Sequence, residues 1–254
     1  MLAKYTSLFI GLALLTSSAM AAPSQVQILK VPNGGIQPQA VKDSKGTIHL
    51  IYFKGEKANA GNLFYVKQPP GSQYFSQPLR VNSIPNTSYA AGTVRGGQIA
   101  IGKGGLVHVV WNGLGSDYTR MNDAGTAFEP QRNLMTITKY ADGGCTLAAD
   151  KTGNVFVAWH GNLKSEEGEG NRRLWVAKSA NDGKIFSQEK SAWNKPTGVC
   201  ACCSTRALAD SKDNLNILYR SATDKVNRDT YLLTSTNEAR SFTGSMVQKW
   251  TVPG

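Results

Sequence analysis

One arrangement of strands and turns occurs four times along this chain, and this repeat limits the possible folds more than any other feature. In each copy a strand ends in a tight polar turn, and Gly, Asp and Asn tolerate the left-handed backbone that such turns need. The four turns are Asp43-Ser44-Lys45-Gly46, Ile101-Gly102-Lys103-Gly104, Asp150-Lys151-Thr152-Gly153 and Asp210-Ser211-Lys212-Asp213. The sequence therefore predicts a hairpin at the same place in four similar units.

A short strand that ends in an aromatic residue follows each of these turns. The four runs are rich in β-branched residues and have the length of a strand rather than a helix. They are Ile48-His49-Leu50-Ile51-Tyr52, Val107-His108-Val109-Val110-Trp111, Val155-Phe156-Val157-Ala158-Trp159 and Leu215-Asn216-Ile217-Leu218-Tyr219. A third strand is predicted after a variable loop, with Asn62-Leu63-Phe64-Tyr65-Val66 and Arg173-Leu174-Trp175-Val176-Ala177 as examples.

A second polar turn, eight residues long, follows the third strand of each unit. Its side-chain oxygens bond nearby backbone N–H groups, its glycine takes a special backbone angle, and its aromatic packs beneath the hairpin. The residues that define it are Ser179, Asn181, Gly183 and Phe186; Ser235, Asn237 and Phe242; Asp123, Gly125 and Phe128; and, in the most degenerate copy, Gly71 and Tyr74. A four-stranded unit repeated at intervals of 54, 58 and 56 residues predicts a β-propeller.

The eight-residue turn resembles the Asp box, or BNR repeat, of sialidases (neuraminidases) and other glycosidase-like propellers. The resemblance covers the chain from residue 22 to residue 254 at the level of blades. It implies an all-β fold, a β-propeller of the six-bladed sialidase type. Because this chain supplies about four blades, we expect an incomplete ring. A genuine four-bladed ring is the alternative, and the Asp box itself is structural.

The resemblance also implies an exo-sialidase, a glycoside hydrolase that grips a carboxylate with three arginines and uses a tyrosine nucleophile. The first of those arginines belongs to an Arg-Ile-Pro motif, and Ile36 takes its place in the matching stretch Gly35-Ile36-Gln37-Pro38. No catalytic residue can therefore be carried over to this chain. The leading hypothesis is binding of a glycan or another anionic ligand at the central face of the propeller, and exo-sialidase activity stays open as an alternative.

Three arginines are candidates for that binding. Arg95 and Arg206 begin predicted inner strands and Arg220 follows the end of one. Because paired strands run antiparallel, these positions meet at one face of a propeller. A guanidinium group matches a carboxylate in a two-pronged hydrogen bond. The alternative is that these arginines are solvent-exposed charges on the rim.

Four cysteines form a second candidate site. They are Cys145, Cys200, Cys202 and Cys203, and alignment of the repeats places them with His160 at one mouth of the ring. Three interpretations remain open: disulfides, a copper or zinc site, and a reactive thiol. The alternative functions are thus a metal-binding or redox module of the cell envelope, or a scaffold that contacts an envelope protein partner.

The N-terminus predicts export. Lys4 precedes an apolar run over residues 8–15, and Ala19-Met20-Ala21 supplies the small residues of a cleavage site. We expect a signal peptide over residues 1–21, a propeller domain over residues 22–254, and a periplasmic or secreted protein without a membrane span. The net charge of +11 is scattered along the chain rather than clustered. That distribution argues against nucleic acid as a partner.

Overall fold

The computed structural model describes residues 26, 28–90, 96–139, 141, 143–164, 168–223 and 227–250. The described residues from Val31 onward belong to one compact unit. The signal peptide expected over residues 1–21 lies outside the described residues, as does Arg95. Besides strands, the described part contains three short 3₁₀ turns, at Pro32–Gly34, Lys103–Gly105 and Glu169–Asn171.

The described strands form four antiparallel sheets, each a four-stranded meander that we call a blade. Blade 1 contains β1 (Ile36–Lys42), β2 (Ile48–Lys57), β3 (Ala60–Gln68) and β4 (Leu79–Arg80). Blade 2 contains β5 (Gln98–Ile101), β6 (Val107–Asn112), β7 (Ser116–Arg120) and β8 (Arg132–Asn133). Blade 3 contains β9 (Thr146–Ala149), β10 (Val155–Gly161), β11 (Arg173–Ser179) and β12 (Lys190–Ser191). Blade 4 contains β13 (Arg206–Ala209), β14 (Leu215–Arg220), β15 (Thr230–Ser235) and β16 (Thr243–Gln248).

The first strands of consecutive blades lie side by side, β1 against β5, β5 against β9, and β9 against β13. These four strands are therefore the inner strands of the assembly, as in a propeller. The prediction of an all-β fold with four four-stranded blades is confirmed. The six-bladed arrangement stays a prediction.

The core lies between the blades rather than within any one of them. Successive side chains of a strand point to opposite faces, so a central strand can bury one set against each neighbour. In β6, Val109 and Trp111 pack in the cluster shared with blade 1, whereas Val110 packs in the cluster shared with blade 3. Trp111 and Trp159, the aromatics that end second strands, are buried completely or nearly so. Each such side chain contributes roughly 2–3 kcal/mol by leaving water.

The two end blades differ in how their remaining faces are covered. Leu50 and Tyr52 of blade 1 are buried beneath Val31 and Phe75. The face of blade 4 that points away from blade 3 leaves Leu208 64% exposed and Leu218 41% exposed. Among the described residues, only the face of blade 4 that packs on blade 3 is therefore fully buried.

The Asp-box turns of blades 3 and 4 have the local bonding that the sequence predicts. Ser179 Oγ accepts the N–H of Gly183 at 3.0 Å, and Asn181 Oδ1 accepts the N–H of Ile185 at 2.9 Å. In blade 4, Ser235 Oγ accepts the N–H of Ala239 at 2.9 Å. Gly183 has a φ of +76°, and a Cβ at this position would collide with the Tyr118 hydroxyl. Only glycine therefore fits here without a shift of its neighbours.

The aromatic residue of an Asp box reaches across to the preceding blade. Phe186 makes an edge contact with Tyr118 of blade 2, with ring centroids 4.8 Å apart. Phe128 makes the same kind of contact with Tyr65 of blade 1, at 5.6 Å. The turn thus fastens neighbouring blades together as well as closing its own hairpin.

The two degenerate boxes depart from the predicted residues. In blade 2, Asn122 Oδ1 accepts the N–H of Thr126 at 3.0 Å, while Asp123 pairs with Arg120 at 3.2 Å. The amide of Asn122, one residue earlier than expected, therefore supplies the acceptor of this turn. In blade 1, Phe75 packs into the core, whereas the predicted aromatic Tyr74 is 79% exposed. One extra residue follows Gly71 in that turn, and this moves the packing position along the chain.

Candidate functional site

The candidate site lies where the second strands of blades 3 and 4 end and their third strands begin. Antiparallel pairing places these strand ends at the same edge of each sheet. The segment 197–203 crosses this edge. Cys200 donates its N–H to the Arg220 carbonyl at 2.9 Å, and Val199 donates its N–H to the Glu169 carbonyl at 3.1 Å. The cysteine-bearing segment is thus held between the β10–β11 connection and the end of β14.

The Glu169 carboxylate holds this segment in place from the side of blade 3. Glu169 Oε1 accepts the N–H of Ala201 at 2.8 Å, and Glu169 Oε2 pairs with Arg228 at 2.7 Å. Although burial opposes ionisation, the bonds from Ala201 and Arg228 hold the pKa of Glu169 below its usual value. The carboxylate therefore acts as an ionised brace for the segment.

Three thiols converge at the centre of the segment. The Sγ atoms of Cys200, Cys202 and Cys203 all lie within 4.8 Å of one another. Cys200 Sγ is 3.4 Å from Cys202 Sγ and 2.8 Å from Cys203 Sγ. Cys200 is buried, Cys203 is half-buried and Cys202 is exposed. Burial, followed by the two neighbouring thiols, raises the pKa of Cys200 to about 12.

Arg220 contributes a positive charge to the same place. Its guanidinium lies 3.4 Å from Cys203 Sγ and donates to the Arg228 carbonyl at 3.3 Å. It also lies over the Trp250 ring, 4.9 Å from the ring centroid. We call the group Glu169, Cys200, Cys202, Cys203, Arg220 and Arg228 the cysteine mouth.

Cys145 does not join this group. It is fully buried in the cluster between blades 2 and 3, and its N–H is bonded to Asn112 Oδ1 at 3.0 Å. Burial raises the pKa of the Cys145 thiol to about 12. All four cysteines are free thiols in this structure, so the disulfide interpretation is not observed here.

The other predicted site residues are spread over the same end of the propeller. His160 is buried, and a Cβ at Gly143 would collide with both His160 Nε2 and the Ala201 carbonyl oxygen. His160 is not part of the three-thiol group. Arg206 is exposed at the start of β13 and donates to the Thr205 carbonyl at 3.1 Å. Arg220 is engaged in the cysteine mouth.

Sequence reasoning did not single out Arg228 or the structural use of Glu169. Both residues lie in irregular connections, and their 2.7 Å ion pair joins positions that are far apart in the chain. No strand or turn pattern carries a signal for such a contact. The three clustered cysteines were the only available indication.

A cleft lies on blade 1, far from these residues along the chain. It has a volume of about 690 Å³ and is formed around the hairpin between β2 and β3. Lys54, Glu56, Asn62, Phe64 and Asn86 are among its lining residues.

The described part of the chain has no helix with the length and apolar character required to span a bilayer.

Comparison with known proteins finds likeness in fold but not in sequence. No protein-family profile matches the chain, and no curated protein matches it in sequence. A protein of unknown function from Dyadobacter fermentans aligns over 84% of this chain and 68% of its own, at 12% identity and a TM-score of 0.58. The α-L-arabinofuranosidase of Podospora anserina aligns over 88% and 73%, at 12% identity and a TM-score of 0.53. An α-L-arabinanase from Penicillium chrysogenum aligns over 82% and 65%, at 11% identity and a TM-score of 0.54.

These likenesses show the fold alone, because the identities are so low. The chain has the propeller fold of these glycoside hydrolases and spans about two thirds of their length. Sialidases also match, with TM-scores of 0.47 and 0.44. Scores this low add no argument for a closer relation to sialidases. The resemblance is confirmed at the level of a propeller glycosidase fold.

Proposed function

We propose that this protein is an exported propeller that binds an anionic glycan beside the cysteine mouth. The observation that carries the proposal is the positive charge at this end of blade 4. Arg206 begins β13, Arg220 ends β14, and Arg228 precedes β15. Antiparallel pairing brings these three positions to one edge of the sheet. The fold supports the proposal, since it is shared with enzymes named for carbohydrate substrates.

The chemistry of these side chains suits an acidic sugar. A guanidinium group donates two parallel hydrogen bonds to a carboxylate, and such charge-assisted bonds are stronger than neutral ones. Arg206 is an exposed residue, although one of its guanidinium nitrogens donates to the Thr205 carbonyl at 3.1 Å and partial burial lowers the pKa of the group. Trp250 is 37% exposed beside Arg220 and offers a flat surface for a sugar ring.

The proposal does not extend to hydrolysis. Ile36 is 52% exposed at the start of β1, and its side chain has no group that could grip a carboxylate. Glu169 is held ionised by Arg228, which makes it unsuited to donate a proton at neutral pH. Asp117 is buried, and Leu114 donates its N–H to the Asp117 carboxylate at 2.7 Å. We assign no catalytic role to either carboxyl group.

A glycan array tests this proposal with two arginine variants. We expect the purified protein to retain acidic glycans in preference to neutral ones, and the binding to weaken as salt is added. Arg206→Ala should weaken binding about tenfold, which corresponds to about 1.4 kcal/mol. Arg240→Ala is the matched control, because Arg240 is 76% exposed in the Asp-box turn of blade 4. Absence of any bound glycan, or an equal loss in both variants, would contradict the proposal.

A further inference from the structure

We propose that Cys200, Cys202 and Cys203 bind one soft metal ion, copper(I), through their three sulfur atoms. This inference does not depend on glycan binding. The three thiols are the only group of His, Cys, Asp and Glu side chains in the described residues whose donor atoms converge closely enough to share an ion. Three sulfurs on one short segment form a ligand set rather than a single reactive thiol.

The distances between the sulfurs suit a shared ion after a small movement. Metal–sulfur bonds of about 2.3 Å in a planar three-coordinate site place the sulfurs about 4 Å apart. The Cys200 and Cys202 sulfurs are already 3.4 Å apart. Cys203 Sγ, 2.8 Å from Cys200 Sγ, needs to move outward by about 1 Å. A disulfide would use only two of the three sulfurs and leave the third unused beside them.

The backbone that carries the thiols is held in place without an ion. The Cys200 N–H is bonded to Arg220, and the Ala201 N–H is bonded to Glu169. Exposed Cys202 lets an ion enter from solvent, and buried Cys200 forms the inner end of the site. The site is therefore preorganised, which lowers the ordering cost of binding.

The donor set selects the metal. Thiolate ligands favour soft ions such as copper(I), whereas a structural zinc site takes four ligands. Within the described residues no fourth His, Cys, Asp or Glu belongs to this group. The Glu169 carboxylate is already engaged by Ala201 and Arg228. Three thiols and one copper(I) ion thus suffice to complete the site.

The charge around the site also fits a metal–thiolate centre. On binding, the three thiols release three protons to solvent, and one copper(I) ion with three thiolates has a net charge of −2. Arg220 lies 3.4 Å from Cys203 Sγ. The Arg220 guanidinium offsets part of the excess negative charge, whereas the charge of Arg228 is already balanced by Glu169.

The test is a copper(I) titration of protein reduced and handled without oxygen, in competition with a chromogenic copper(I) chelator. We expect one tightly bound ion per chain, and X-ray absorption should show a copper ion surrounded by sulfur alone. Cys202→Ser, at the most exposed ligand, should weaken binding at least a hundredfold with the circular dichroism spectrum unchanged. Cys145→Ala is the control, because Cys145 lies in another cluster, and it should keep full affinity.

Three results would overturn the inference. The first is reduced protein that does not compete with the chelator for copper(I). The second is an equal loss of copper in the Cys145→Ala and Cys202→Ser variants. The third is tighter binding of zinc(II) than of copper(I), because the three-sulfur set would then need a further ligand. If the native protein contained a Cys200–Cys203 disulfide and bound no copper(I) after reduction, this would also overturn the inference.

Discussion

Glu189 shows how single residues join neighbouring blades outside their apolar cores. It is almost completely buried, and its carboxylate accepts backbone N–H groups from Thr136, Ile137 and Thr138, each at 2.9 Å. The hydroxyls of Thr136 and Thr138 donate to it as well, at 2.5 and 2.9 Å. Burial alone would raise the pKa of Glu189, but these five donors lower it to about 2.

Glu189→Gln should therefore destabilise the protein at neutral pH. A folded pKa of about 2 against an ordinary value of 4.5 corresponds to a stabilisation on the order of 3 kcal/mol. Because the folded-state pKa is depressed, this contribution is present above pH 4.5 and is lost as the pH falls towards about 2. Urea unfolding at pH 7 and at several pH values below 4.5 measures both effects.

Glu238→Gln provides the control for this experiment. The Glu238 side chain is 49% exposed and pairs with Lys178 at 2.7 Å, and exposed pairs of this kind contribute little. We expect this control to lose far less stability than Glu189→Gln. If Glu189→Gln behaved like it, the carboxylate would not be the brace between the blades that we describe.

Individual residues show where sequence reasoning succeeds and where it stops. The strand pattern predicted that His49 and His108 occupy equivalent positions. In the structure the His49 imidazole lies 2.7 Å from the Tyr65 hydroxyl, and the His108 imidazole lies 2.7 Å from the Tyr118 hydroxyl. The grouping of Cys145 with the other thiols is not observed. Side chains alternate along the strand, so Cys145 faces blade 2. Repeat alignment predicts how far along a strand a residue lies. It does not predict the side-chain direction of a residue in a loop, such as Cys200, Cys202 or Cys203.

At the scale of structural elements, the Asp-box turn is the feature that recurs in each blade. Ser179→Ala removes the acceptor of the Gly183 N–H, which is buried between blades 2 and 3. A buried donor left without a partner costs about 1–3 kcal/mol. We expect a loss of this size in the free energy of unfolding, measured by urea denaturation.

Ser187→Ala tests whether that loss belongs to the turn. Ser187 is exposed at the end of the same box, and its hydroxyl accepts only a long bond from the Lys178 N–H, at 3.4 Å. Its removal should change stability by less than about 0.5 kcal/mol. Equal losses in the two serine variants would mean that the Ser179 hydroxyl has no special role.

The elements themselves were predicted with uneven success. All four second strands begin at the predicted residues, because a β-branched run after a turn signal leaves little freedom. The outer strand of blade 4, at Thr243–Gln248, has six residues. The outer strands β4, β8 and β12 have only two residues each. Strands this short have no side-chain alternation that a sequence pattern can detect.

At the scale of the whole molecule, the repeated units form the blades, and the irregular connections between strands supply most residues of the cysteine mouth. The four sheets and their order follow from the repeat because each unit buries its faces against its neighbours. The cysteine mouth depends on residues 169, 200–203, 220 and 228, which come together only in the folded chain. Contacts between loops separated by many residues leave no periodic signal in the sequence.

The central claim is that ligands bind at the edge of blades 3 and 4. Hydrogen–deuterium exchange, compared with and without the acidic glycan that binds best on the array, tests it most directly. We expect slower exchange in residues 197–206 and 220–223, and no change in the Asp-box turns at residues 179–186 and 235–242. Slower exchange confined to the hairpin of residues 54–62, beside the 690 Å³ cleft of blade 1, would contradict it.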